Sequence, residues 1–99
     1  MNYTYLSIII PCYNEKKTII EIVKQINKLK RIKKQIILVD DGSNDGTRQL
    51  IKKKLQNQVD KIIFHKTNKG KGAAIISSLK YIKGNLVIIQ DADLEYDPK

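Results

Sequence analysis

The chain has 99 residues, 41% of them hydrophobic and 29% charged, which makes one small domain with a modest core and excludes a disordered segment. Lys and Arg number 19 against 10 Asp and Glu, a formal net charge of +9, so the molecule attracts anions: nucleic acid, an acidic membrane surface or a phosphorylated small molecule. The single cysteine, Cys12, excludes an internal disulfide and a cysteine-held metal and fits a reducing compartment.

Residues 6–10 form a compact apolar run closed by Pro11, which predicts a first strand. Pro11, Cys12, Tyr13, Asn14 and Glu15 follow as a loop. Thr18 with Glu21 three places later is a capping-box pattern that starts a helix. Ile19, Ile22, Val23, Ile26 and Leu29 recur at helical spacing, leaving Lys24, Lys28, Lys30 and Arg31 toward water. The basic end of this helix suits the negative pole of its dipole. No aromatic residues interleave those lysines, so no nucleic-acid partner is expected.

Residues 35–39 read as a second buried strand ending in Asp40 and Asp41, and two glycines among Asp, Asn and Ser then mark a tight loop. Asp45 or Thr47 can cap the next helix, which carries Leu50, Ile51 and Leu55. A third strand over residues 61–65 leads into Asn68-Lys69-Gly70-Lys71-Gly72. The helix after it, residues 73–82, presents Ile75, Ile76, Leu79 and Ile82 on one side. A fourth strand over residues 86–89 reads as buried on both faces and stops at carboxylates, Asp91, Asp93 and Glu95. His65 has no second ligand nearby and receives no role, and Cys12 is a small packing residue.

Strand and helix thus alternate three times before the fourth strand, predicting an α/β fold with a parallel sheet, right-handed crossovers and helices on its faces. In such sheets ligands bind outside the carboxyl ends of the strands, where all four unusual loops lie. Asp91 and Asp93 point the same way in an extended chain, and Glu95 continues the row. Crowded like charges repel unless a cation sits between them, so Mg²⁺ or Mn²⁺ is the expected cofactor. A nucleoside diphosphate would find a base partner in Asp41, an aromatic wall in Tyr13, and Lys71 with the glycine-rich backbone for its phosphates. Gly70 and Gly72 are not a dinucleotide fingerprint, because Ile75 stands at the third glycine position, and no Gly-Lys-Ser/Thr occurs.

Together, Ile-Ile-Ile-Pro-Cys-Tyr-Asn-Glu, Ile-Leu-Val-Asp-Asp-Gly-Ser-Asn-Asp-Gly-Thr, Asn-Lys-Gly-Lys-Gly-Ala-Ala and Gln-Asp-Ala-Asp-Leu-Glu-Tyr-Asp-Pro resemble the family 2 inverting glycosyltransferases. The branch resembled is that of dolichyl-phosphate mannosyltransferase and polyprenyl-phosphate sugar transferases. The resemblance implies a Rossmann-like sheet of the GT-A type, truncated after its fourth strand. Residues 1–99 would be the nucleotide-sugar-binding part, with the acceptor-binding half absent.

It also implies that Pro11, Tyr13, Asn14 and Glu15 line the nucleotide pocket, that Val39 and Asp41 hold base and ribose with Asp40 as a second candidate, and that Asp91, Ala92 and Asp93 form the Asp-x-Asp element. Asp91 and Asp93 would be the catalytic pair and, with Glu95, the metal ligands; Glu95 stands where this branch often carries glutamine. The implied reaction is inverting transfer of a hexose from a UDP- or GDP-sugar to a polyprenyl phosphate or glycan acceptor. A non-catalytic nucleotide-binding or self-associating module, as a homodimer, is the alternative. No apolar run nears the roughly 20 residues that cross a bilayer and no signal peptide is visible, so a cytoplasmic location with at most peripheral contact at the inner membrane face is expected.

Overall fold

A computed structural model describes residues 4–92. The chain order is β1 (Tyr5–Cys12), α1 (Ile19–Asn27), β2 (Lys33–Asp40), α2 (Thr47–Lys54), β3 (Lys61–Phe64), α3 (Lys71–Ser78), a 3₁₀ turn (Leu79–Tyr81) and β4 (Leu86–Ile89). The four strands form one parallel sheet in the order β3-β2-β1-β4. All four strands and three helices expected from the sequence are present, with shifted ends. Pro11 does not close the first strand, which runs on to Cys12. Pairing with β4 stops at Ile9, so the N–H that Pro11 lacks is not needed on that side.

The continuous apolar runs of β1 and β2 bury both faces, because neighbouring side chains point in opposite directions. Ile8, Ile10, Cys12, Ile36 and Leu38 meet Ile19, Ile22, Val23 and Ile26 of α1 and Ile51 and Leu55 of the second helix region. On the other face Ile37 and Val39 meet Ala74 of α3. Ser7 and Gln35 are also buried there. Ser7 Oγ donates to Gln35 Oε1 at 2.6 Å, and Gln35 Nε2 donates to the Tyr81 carbonyl at 2.7 Å. Their polar atoms are thereby satisfied, and the turn into β4 is fixed.

Four expectations are corrected. The last strand is not buried on both faces: Leu86, Val87, Ile88 and Ile89 are 38–53% exposed, because β4 is an edge strand paired only with β1 among the described residues. The third helix does not turn Ile76 and Leu79 inward; they are exposed, and Ala74 and Ser78 face the sheet instead. Small side chains let that helix approach closely, and the Ser78 hydroxyl donates to the Ile75 carbonyl at 2.6 Å, which permits its burial. Leu29 lies past the end of α1 and is exposed. Thr18 stands at the N-cap of α1 but makes no side-chain cap bond; its hydroxyl donates to the Ala92 carbonyl at 2.5 Å. The cap hydroxyl therefore joins α1 to the segment that follows β4.

Candidate nucleotide-sugar site

Each of the four loops at the strand carboxyl ends is tied to the next by named hydrogen bonds. Asn14, with φ +53°, donates its N–H to Ser43 Oγ at 2.8 Å and accepts the Asn44 N–H on Oδ1 at 2.9 Å. The left-handed conformation that Asn tolerates thus locks the first loop to the second. Ser43 in turn donates to Asp40 Oδ1 at 2.5 Å. The second loop holds the third through Asp41, whose Oδ1 accepts from Lys69 N–H at 2.9 Å and whose Oδ2 accepts from Gly70 N–H at 2.8 Å. The third holds the fourth through Lys71 Nζ, 2.6 Å from Asp91 Oδ1. The Thr18–Ala92 bond returns the fourth loop to the start of α1.

The ring encloses an open cavity of about 270 Å³ lined by Pro11, Cys12, Tyr13, Glu15, Asp41, Asn68, Gly70, Lys71, Asp91 and Ala92. Of the residues expected at the site, Pro11, Tyr13, Glu15, Asp41, Lys71, Asp91 and Ala92 line it. Asn14 does not; it serves the joint between loops. Val39 and Asp40 are fully buried and lie outside the lining. Asp93 and Glu95 lie outside the described residues. A cavity of about 550 Å³ between α1 and α2 carries Lys24, Lys28, Lys30 and Lys54, and among the described residues no carboxylate and no part of the four loops lines it.

Burial and hydrogen bonding give the two adjacent aspartates different electrostatics. Burial pushes the Asp40 carboxyl above its usual value, and the bonds from Ser43 only partly oppose this. Asp40 Oδ2 is buried with no hydrogen-bond partner among the described residues. For Asp41, burial also raises the value, but the bonds from His65, Lys69 and Gly70 outweigh it and hold the carboxyl below the ordinary range. Burial, with the Asp40 charge beside it, pushes the Cys12 thiol up to about 12, so Cys12 contributes surface to the cavity and no nucleophile.

Sequence reading missed His65. It is buried, with Nδ1 2.8 Å from Asp41 Oδ1 and Nε2 2.8 Å from Ser77 Oγ. Its place follows from the register of the folded sheet, in which Asp40 pairs with Phe64, so that the residues just beyond the two strand ends are neighbours.

Lys71 and Asp91 are each more than half exposed, so their pair is screened and worth at most about 1 kcal/mol. Asp91 presents a hard carboxylate oxygen of the kind that Mg²⁺ or Mn²⁺ takes. Among the described residues no group of three His, Cys, Asp or Glu side chains could hold a metal.

The model of the family "Glycosyl transferase family 2" matches residues 7–99. Undecaprenyl-phosphate 4-deoxy-4-formamido-L-arabinose transferase of Edwardsiella ictaluri is 35% identical over 96% of this chain and 31% of its own length. Dolichol-phosphate mannosyltransferase of Pyrococcus furiosus is 33% identical over 95% of this chain and 27% of its own. The chain therefore spans about three-tenths of these relatives. The mannosyltransferase PcManGT from Pyrobaculum calidifontis, in complex with GDP-Man and Mn²⁺, superposes with a TM-score of 0.82 and 26% identity over 93% of this chain and 28% of its own. S. aureus TarS 1–349 in complex with UDP gives 0.77 and 32% identity over 89% and 27%.

Proposed function

The chain belongs to glycosyl transferase family 2, and from that membership we propose that it is the donor-binding part of a metal-assisted, inverting glycosyltransferase. The reaction moves a hexose from a UDP- or GDP-sugar to a polyprenyl phosphate or glycan acceptor. One observation carries this reading: residues from all four loops converge on one cavity at the carboxyl ends of the strands. The GDP-Man, Mn²⁺ and UDP complexes of similar structures support the donor class, and the two polyprenyl-phosphate relatives support the acceptor.

Tyr13, 41% exposed, offers an aromatic face to the base, and Asp41 offers an acceptor to a base N–H. Lys71 and the start of α3 attract the diphosphate. Val39 and Asp40 act from beneath by fixing the second loop, and Asn14 acts by joining it to the first. Asp91, Asp93 and Glu95 hold Mg²⁺ or Mn²⁺, with Asp91 and Asp93 as the catalytic pair. A divalent ion there offsets the negative charge that gathers on the departing nucleoside diphosphate. A polyprenyl phosphate needs no general base from this chain, because a phosphate monoester with a second pKa of about 6 is already ionised at neutral pH. Among the described residues no helix is long and apolar enough to cross a membrane. The charge of +9 suits peripheral contact with anionic lipid at the inner, cytoplasmic face.

Calorimetry with UDP and GDP, each with Mn²⁺ and with chelator, tests the donor reading. Mn²⁺-dependent binding of at least one nucleotide, lost in Asp93→Asn, is expected; unchanged binding in that variant removes the metal assignment. A second reading, a nucleotide-binding module that forms a homodimer, is favoured by the exposure of β4 on both faces. Sedimentation separates the two: a dimer abolished by Ile88→Lys supports the module, whereas a monomer contradicts it.

A further inference from the structure

The Asp41 carboxylate is held on three sides before any ligand arrives. Oδ1 lies 2.8 Å from His65 Nδ1 and 2.9 Å from Lys69 N, and Oδ2 lies 2.8 Å from Gly70 N. A carboxylate only accepts, so His65 Nδ1 donates to it, and Nε2 lies 2.8 Å from Ser77 Oγ. The ring is buried and pinned at both nitrogens. Each carboxylate oxygen offers two lone pairs. Among the described residues Oδ1 is therefore full and Oδ2 keeps one open, on a side chain that lines the cavity.

Nucleobases make different demands on such an acceptor. The pairing edge of uracil carries one donor, N3–H, between two carbonyls. Guanine presents N1–H and N2–H side by side and is met by a carboxylate only when both oxygens are open. A site with one open acceptor satisfies uracil and leaves guanine with an unpaired, desolvated N–H.

We propose that His65, anchored by Ser77, fills Asp41 Oδ1 and so makes this cavity select a uridine nucleotide over a guanosine nucleotide. The inference rests on the reading that the cavity holds a nucleoside diphosphate. The two backbone N–H bonds persist with any residue at position 65, whereas the imidazole supplies the bond that closes Oδ1. His65 is thus a positioning residue that sets specificity through Asp41. Removing the ring frees a lone pair on Oδ1 and so leaves one open on each oxygen, which is the arrangement guanine needs, so a gain of guanosine binding is the signature. A merely weakened fold would lower affinity for both nucleotides.

The experiment is calorimetry of the chain with UDP, GDP and N3-methyl-UDP in Mn²⁺, followed by His65→Leu, His65→Asn and Ser77→Ala. UDP should bind the wild type at least about tenfold more tightly than GDP, and N3-methylation should cost at least about tenfold, as expected for one hydrogen bond to a charged group. His65→Leu should bring the UDP/GDP ratio toward one, Ser77→Ala should narrow it, and His65→Asn, whose Nδ2 stands where Nδ1 stood, should restore it. GDP binding as tight as UDP, indifference to N3-methylation, or an unchanged ratio in a folded His65→Leu overturns the proposal. If His65→Leu does not fold, the wild-type comparison and Ser77→Ala still decide. Binding of GDP alone overturns the selectivity and leaves the donor reading standing; binding of neither nucleotide by the folded wild type removes both.

Discussion

Replacing Gly42 with alanine would put a methyl group 2.4 Å from the Thr67 carbonyl carbon and 2.5 Å from the Asn68 nitrogen, at a residue whose φ is +76°. The left-handed conformation costs a non-glycine residue about 1–2 kcal/mol. Both overlapping atoms are main chain, so the loop between β3 and α3 must move, adding about 1–3 kcal/mol of overpacking. The sum, roughly 2–5 kcal/mol, is a large share of the roughly 5–15 kcal/mol that holds a domain together. A fall in Tm of more than about 8 °C follows. Gly46→Ala is the internal control, since Gly46 is also left-handed (φ +103°) but an added methyl meets only the end of the Lys16 side chain, at an ordinary 3.5 Å, leaving only the conformational cost of about 1–2 kcal/mol. Urea unfolding of the two variants measures the difference. Gly42→Ala should also shift the Lys69 and Gly70 amide resonances, because the displaced loop carries the N–H groups that hold Asp41. Equal destabilisation of the two variants would refute the claim that the second and third loops are in enforced contact.

Cys12, buried and with its thiol pushed up to about 12, should resist alkylation at pH 8 in the native chain and react once urea unfolds it; fast native labelling would contradict its placement. Asp45 accepts both the Thr47 N–H and hydroxyl, so Asp45→Ala should cost about 1 kcal/mol by thermal melting at pH 7. Its folded pKa is lowered, chiefly by those Thr47 bonds working against burial. That stabilisation is complete above the unfolded value and lost as pH falls through the depressed one, so the penalty of the variant should vanish in strong acid. Asp40 has the opposite sign. Its raised folded pKa makes the native state bind the proton more tightly, so its contribution to stability grows as pH falls through the window above 3.8. Asp40→Asn should remove that slope, and a denaturation series with a slope like that of the wild type would contradict the assignment.

The strands and their order in sequence were legible because apolar runs of four to eight residues bounded by turn residues have few other fates. Their burial was not equally legible. The apolar run of residues 86–89 reads the same whether it is covered on both faces or paired on one edge, and in the structure it is the exposed edge. In α3 the isoleucines and Leu79 suggested the inner face, but closeness of approach favours Ala74 and Ser78, and hydropathy does not encode separation between layers. Thr18 matches a capping box letter by letter, yet its hydroxyl serves a carbonyl 74 residues away. At the site, the types and order of the loop residues pointed to one location, and seven of the expected residues line one cavity. The support behind them was hidden, because His65 and Ser77 act through contacts that only the β2–β3 register and the packing of α3 create.

The most direct test of the account is a ¹⁵N–¹H spectrum of the chain titrated with UDP in Mg²⁺. Progressive shifts confined to the four loops, with Tyr13, Asp41, Gly70, Lys71 and Asp91 moving together, are the expected result. Shifts gathered instead on Lys24, Lys28 and Lys54 in the groove between α1 and α2, or none in a folded chain, would contradict the claim that these loops form a nucleotide site.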